Sequence, residues 1–270
     1  MPAGAADFPA RLAPFAAAPA HSVVIVDFDG TLAPIVADPP AARPLPEAAP
    51  VLGRLARHLG RVAVVSGRPV DFLRRQLPVE GLVLLGQYGV ERLDGAETTT
   101  APDAARWADV VRRVADDAER RLPGLFVERK GTVAVALHWR RRPDLEAAAT
   151  HLARRLAASH GLRLEPGRRT LELRPPLDVD KGTATEQLAA GASAAMFVGD
   201  DRGDVAAFDA LSRLVEEGQL AHAVRVVVRS PETPAELLGR ADLAVDGPHG
   251  AVELLDRLGE MLATARPSPP

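Results

Sequence analysis

The chain contains no cysteine, which excludes disulfides, thiolate nucleophiles and cysteine-based zinc or iron–sulfur sites. Its seven histidines do not cluster at metal-ligand spacing. Lysine and arginine total 33 against 36 acidic residues, a formal net charge of −3. No basic field is there to favour a nucleic-acid partner. No apolar run reaches the length needed to cross a membrane. Leu12 to Ala20 is uncharged and Ala-rich, but two prolines interrupt it and the first strand-like run begins near residue 23. Cleavage there would leave no spacer, so a signal peptide is not expected. The first twenty residues are expected to form a disordered arm and residues 265–270 a disordered tail, with the protein in the cytoplasm.

What is present suits a compact enzyme. The 270 residues are 47% hydrophobic, enough for a sizeable core in one large or two smaller domains. Strand-like and helix-like patterns alternate, which predicts a parallel sheet with helices on both faces. Strands are expected over 23–26, 62–65, 82–85, 195–198 and 225–228, and helices over 46–59, 69–77, 181–190, 204–217 and 251–263. Between 101 and 175 the rhythm changes to helix-strand-strand-helix-strand-strand, a small α/β unit of its own. It lies between two motifs, at Ser66 and Lys181, that are much too far apart to be joined by a loop. It is read as an inserted cap closing over a Rossmann-like core of residues 21–100 and 176–264.

Four motifs sit at the ends of apolar strands or the start of a helix. The first is Asp27-Phe28-Asp29-Gly30, after Val23 to Val26. Alternation along a strand sends both carboxylates to one side, and Gly30 lets the chain turn away. Two such carboxylates repel and call for a hard divalent cation such as Mg²⁺. One can then attack phosphorus while the other manages a proton. The second is Ser66-Gly67-Arg68-Pro69. The Ser66 hydroxyl and the turn's N–H groups at Gly67 can cradle a phosphate, although serine before a helix is also a common N-cap. The third is Lys181, opening a helix, where an ammonium can hold a phosphate. The fourth is Gly199-Asp200-Asp201-Arg202-Gly203-Asp204, three aspartates crowding the loop after an apolar strand, either solvated or gathered on a metal.

This ordered set resembles the haloacid dehalogenase-like phosphohydrolases. Asp29 to Ile35, Gly-Gln-Tyr-Gly-Val-Glu (86–91), Val-Glu-Arg-Lys-Gly (127–131), Leu-His-Trp-Arg (137–140) and Leu-Glu-Leu-Arg-Pro (171–175) resemble the trehalose-6-phosphate phosphatase family. The likeness runs from about 21 to 262, with departures at Arg129, Gly203 and Val205. It implies Mg²⁺-dependent hydrolysis of trehalose 6-phosphate, a small-molecule sugar phosphate. Asp27 would be the nucleophile and Asp29 the acid/base, with Ser66, Gly67 and Lys181 on the phosphate. The metal would take Asp27, the Asp29 carbonyl and Asp200, with Asp201 or Asp204 through water or further out. The resemblance also puts Glu128, Lys130, Arg140 and Glu172 of the cap, and Glu91 of the core, on the sugar. His138 and Trp139 are read as structural. Another sugar phosphate, a phosphomutase and a non-catalytic regulatory domain are the competing readings.

Overall fold

The computed structural model describes residues 8–36, 38–131, 133–167 and 169–264; the tail expected at 265–270 lies outside them. In chain order the elements are α1 (Phe8–Ala17), β1 (Ser22–Val26), α2 (Ala48–Ala56), β2 (Arg61–Val65), α3 (Val70–Gln76), β3 (Leu82–Gly86), β4 (Glu91–Asp94) and β5 (Glu97–Thr100). Then come α4 (Ala108–Arg121), β6 (Phe126–Lys130), β7 (Ala134–His138), α5 (Glu146–His160), β8 (Arg163–Gly167) and β9 (Thr170–Arg174). The chain closes with α6 (Lys181–Ala189), β10 (Ala194–Gly199), α7 (Val205–Glu216), β11 (His222–Arg229), α8 (Ala235–Arg240), β12 (Leu243–Asp246) and α9 (Gly247–Thr264).

Alternate residues of the central strands feed two separate cores, as a sheet covered on both faces requires. Val24, Val26, Val62, Val64, Met196 and Val198 face Leu52, Leu55, Leu255 and Leu258 of α2 and α9. Val23, Ile25, Ala63, Val65 and Phe197 face Ala184, Leu188, Phe208 and Leu211 of α6 and α7. The strand order is β12-β11-β10-β1-β2-β3-β4-β5. Pairing is parallel from β12 to β3 and antiparallel through β4 and β5. The mixed α/β class and the parallel core agree with the expectation.

The second sheet is antiparallel, in the order β6-β7-β9-β8. One face buries Val135, Leu137 and Leu173 against Val114, Ala118, Leu152 and Leu156 of α4 and α5. Trp139 joins this core. Period-two alternation then turns Glu128, Lys130, Glu172 and Arg174 to the opposite face. Register lines Glu128, Ala136, Glu172 and Glu165 into one row across the four strands.

One expectation is corrected. Residues 8–17 of the supposed disordered arm form α1, with Phe8, Leu12 and Phe15 buried in the main core. Spacing of four and three puts these side chains on one helical face, and the rings of Phe15 and His222 pack nearly at right angles with their centres 6.0 Å apart. The two prolines interrupt apolar periodicity without abolishing it. Elements β4, β5, α8 and β12 also lie beyond the sequence reading. Among the described residues, no helix is long and apolar enough to cross a membrane.

Candidate active site

The ends of β1, β2 and β10, and the start of α6, meet on one side of the main sheet. This is where open α/β sheets leave a crevice. Asp27 follows β1, is buried, and its N–H donates to Val198 O at 2.9 Å. The chain then folds back, with Gly30 N donating to Ala33 O at 2.7 Å. Gly30 has φ +84°, and a Cβ there would collide with the Asp200 carboxylate. Only glycine satisfies both conditions.

Lys181 is the first residue of α6. Its helix is capped by Asp180, which accepts from Thr183 N at 2.8 Å. The buried ammonium donates to Asp27 Oδ1 at 2.7 Å and to Asp204 Oδ1 at 2.6 Å. Asp204 Oδ2 accepts the N–H groups of Asp200 (2.8 Å) and Asp201 (3.0 Å). Thr31 Oγ1 donates to Asp200 Oδ1 at 3.3 Å. Oxygens of Asp27, Asp200 and Asp204 all lie within 4.8 Å of one another. The Asp201 carboxylate instead accepts from Gly203 N at 2.8 Å, closing its own turn.

Of these three buried carboxylates, Asp27 and Asp204 both bond the Lys181 ammonium. Burial disfavours the Lys181 charge, but Asp204 and Asp27 outweigh it and hold its pKa well above the usual value. Burial pushes the Asp27 carboxyl up; Lys181 opposes this, while Asp204 and Asp200 reinforce it. The excess of negative charge fits a cation, and an all-oxygen donor set suits a hard one.

Ser66 follows β2. Its carbonyl accepts from Tyr88 N at 2.9 Å, and its Oγ accepts from Arg68 N at 3.2 Å. Tyr88 covers Gly67 so closely that a Cβ there would sit 2.7 Å from the ring. Gln87 and Tyr88 occupy the left-handed backbone region, at φ 51° and 63°. Their N–H groups are fixed on Arg68 O and Ser66 O, both at 2.9 Å.

Asp27, Asp29, Ser66, Gly67, Lys181 and Asp201 line a cavity of about 340 Å³. Its opposite wall is the polar face of the second sheet, including Glu128, Lys130, Arg140 and Glu172. Lys130 Nζ donates to Glu172 Oε2 at 2.6 Å, and Tyr88 OH donates to the same oxygen at 3.0 Å. Burial opposes the Lys130 charge, but Glu172 and other neighbours overcome it and raise its pKa. Glu172 Oε1 is buried without a hydrogen bond; Arg174 Nε lies 3.9 Å from it. Arg140 stands 3.9 Å from Glu232 of the main unit. Burial works against ionised Glu128, but the hydrogen bond from His138, Lys130 and Arg68 hold its pKa down.

The structure does not bring Glu91 to this wall. Its carboxylate accepts from Val70 N, at 2.7 Å, and from Gln87 Nε2. It braces the start of α3 and the strained turn and is not among the residues lining the cavity. Arg129 is exposed and pairs with Asp116 (2.8 Å) and Glu119 (2.9 Å) on α4.

Sequence reading missed Arg68, Tyr88 and Arg174. Arg68 grips Asp29 with two hydrogen bonds, Nε to Oδ2 at 2.7 Å and Nη2 to Oδ1 at 2.8 Å. Its Nη1 lies 3.4 Å from Glu128 Oε1. The Arg174 guanidinium stacks 4.0 Å from the Tyr88 ring centre. Arg174 had a legible signal, since it alternates with Glu172 on β9.

Residues 25–238 match the trehalose-phosphatase family. The trehalose-phosphate phosphatase of Mycobacterium avium (strain 104) is 35% identical over 255 residues, covering 90% of this chain. The chain spans 63% of that relative's length. Among solved structures, the C-terminal domain of C. albicans trehalose-6-phosphate phosphatase is similar with a TM-score of 0.78 at 23% identity, covering 94% of this chain and 97% of that one. Aspergillus fumigatus trehalose-6-phosphate phosphatase (crystal form 3) gives 0.63 at 25% identity, with 93% and 97% covered.

Proposed function

Because the chain belongs to the trehalose-phosphatase family, we propose that it hydrolyses trehalose 6-phosphate to trehalose and inorganic phosphate. The observation that carries this reading is that Asp27 of the buried acidic cluster, with Asp29, Ser66 and Lys181, and the polar face of the second sheet line one cavity.

In the first step a carboxylate oxygen of Asp27 attacks phosphorus, and the bond to the sugar oxygen breaks. Asp29 gives the departing oxygen a proton, leaving trehalose and an aspartyl-phosphate. In the second step Asp29 takes a proton from water, whose oxygen attacks phosphorus and frees Asp27 and phosphate. Ser66, Gly67 N–H and Lys181 hold the non-bridging oxygens as charge shifts between them. Mg²⁺ is the proposed cofactor; Asp27, Asp200 and Asp204, with the Asp29 carbonyl, would hold it, and when bound it supplies positive charge to the transferring group.

The unit around the second sheet serves as the cap. Glu128, Lys130, Arg140 and Glu172 take sugar hydroxyls through charge-assisted hydrogen bonds. The unsatisfied Glu172 Oε1 is an acceptor awaiting such a hydroxyl, since a buried oxygen left without a donor is costly.

The test is phosphate release from a panel of sugar phosphates with Mg²⁺. Trehalose 6-phosphate should be turned over well ahead of sucrose phosphate, mannosylglycerate phosphate and p-nitrophenyl phosphate, and EDTA should abolish the activity. Equal rates across the panel would remove the substrate assignment and keep a phosphatase.

A further inference from the structure

Arg68 connects the two units at the point where leaving-group chemistry is assigned. Its backbone is fixed in the phosphate turn, with N–H donating to Ser66 Oγ at 3.2 Å and O accepting from Gln87 N at 2.9 Å. The guanidinium lies over Phe72, 4.9 Å from the ring centre, and Phe72 meets Phe28 edge-on at 5.6 Å. The side chain is 10% exposed, so little water competes for its donors.

A planar fork with two parallel bonds fixes both the tilt and the rotation of a carboxylate; a lysine would fix neither. Here that carboxylate is Asp29, held at 2.7 and 2.8 Å. The fork's remaining edge faces Glu128 Oε1 at 3.4 Å. Glu128 lies on β6 and is itself held by His138 Nε2 on β7, 2.8 Å from Oε2. An unbroken line of polar contacts thus runs from the second sheet through His138, Glu128 and Arg68 to Asp29.

We propose that Arg68 is a positioning residue that aims the Asp29 carboxylate at the leaving oxygen, and that Glu128 of the second sheet holds Arg68 in that pose. Protonation of a poor leaving group is then assembled fully only when the second unit sits against the first. The inference rests on the reading of Asp29 as acid/base. It asks nothing of the sugar's identity.

The experiment uses aryl phosphates from p-nitrophenyl to phenyl phosphate, which lack the sugar and differ in how much their leaving oxygen needs a proton. The quantity read is kcat/KM, which covers the steps through leaving-group release. Arg68→Lys keeps the charge and loses the fork. It should lower kcat/KM on phenyl phosphate by about 10- to 100-fold, the scale of a misplaced catalytic group, and on p-nitrophenyl phosphate by at least about tenfold less. A steeper dependence on leaving-group pKa than wild type is the signature; a uniform loss or no loss overturns the proposal. Combining Arg68→Lys with Glu128→Gln should give little further loss on phenyl phosphate, whereas multiplying losses would overturn the link to the second sheet. Circular dichroism and melting confirm folding. If Arg68→Lys does not fold, Glu128→Gln alone carries the test: a loss greater for phenyl phosphate supports the proposal, and an even effect overturns it. Wild-type turnover of trehalose 6-phosphate is read in parallel. Its absence with the aryl series intact removes the substrate assignment and leaves this inference to its own data; no turnover of any ester removes both.

Discussion

Tyr88 reaches across from the main unit and donates its hydroxyl to Glu172 Oε2 of the second sheet at 3.0 Å. It is the chain's one tyrosine, so this single contact can be watched spectroscopically. Burial pushes its phenol pKa up, Glu172 adds to this, and Lys130 and Arg174 oppose it; the balance lies well above the usual 10.0. The unfolded chain therefore loses this proton at lower pH than the folded chain does. The contribution to stability is complete below about pH 10 and is lost as pH rises through the folded value. Phenolate absorbance should stay absent at pH 10 in the native protein and appear together with unfolding. A normal titration near pH 10 in folded protein would contradict the buried contact.

Asp27→Asn should keep the fold and remove turnover, because an amide does not attack phosphorus at a useful rate. Asp29→Asn should slow the reaction by about 10²–10⁴-fold, the usual scale for general acid–base catalysis. Beryllium fluoride should inhibit the wild type by standing in for a phosphoryl group on Asp27, and should fail to protect Asp27→Asn against thermal unfolding. Full activity in Asp27→Asn would overturn the mechanism.

Glu172→Gln keeps the shape of the side chain and removes its charge. If Oε1 accepts a sugar hydroxyl, kcat/KM for trehalose 6-phosphate should fall by about 10–150-fold, matching roughly 1.5–3 kcal/mol for a charge-assisted hydrogen bond. The loss on p-nitrophenyl phosphate should be much smaller. A parallel fall on both would assign Glu172 to holding the two units together.

Phe15→Ala tests the docking of α1. Phe15 is fully buried, so truncation should cost about 3–5 kcal/mol, as for other core phenylalanines. Denaturant unfolding measures it. A change below about 1 kcal/mol would mean that α1 adds little to the core.

The sequence was most legible where chemistry is announced by local grammar. Asp27, Ser66, Lys181 and Asp200 each stand at a strand end or helix start, where apolar runs and caps give position away. The edge strands were harder. Glu91 to Asp94 and Glu97 to Thr100 are short and polar, although the two-residue link Gly95-Ala96 between them, glycine first, is a hairpin signal and Gly95 takes φ +61°. In α1, alanines and prolines obscured the spacing of Phe8, Leu12 and Phe15. Arg68 was invisible for another reason. Its partners Asp29 and Glu128 lie 39 and 60 residues away, so only the folded chain brings the fork to them. Glu91 was placed on the sugar by its motif, whereas its carboxylate accepts from Val70 N and Gln87 Nε2.

The strained pair Gln87 and Tyr88 bears on how freely the two units can be exchanged. A non-glycine residue in that region costs roughly 1–3 kcal/mol and persists only where its surroundings over-determine it. Part of that surrounding belongs to the second unit. Val133 N donates to Gln87 Oε1 at 3.2 Å, and Glu172 and Arg174 engage Tyr88. The units are therefore not interchangeable modules. A chimera that replaces the second unit with a foreign one, leaving residues 86–91 as they are, would inherit a phosphate turn whose strain has lost its counterweight. Swaps of specificity by whole-unit grafting need this turn moved together with the new sheet.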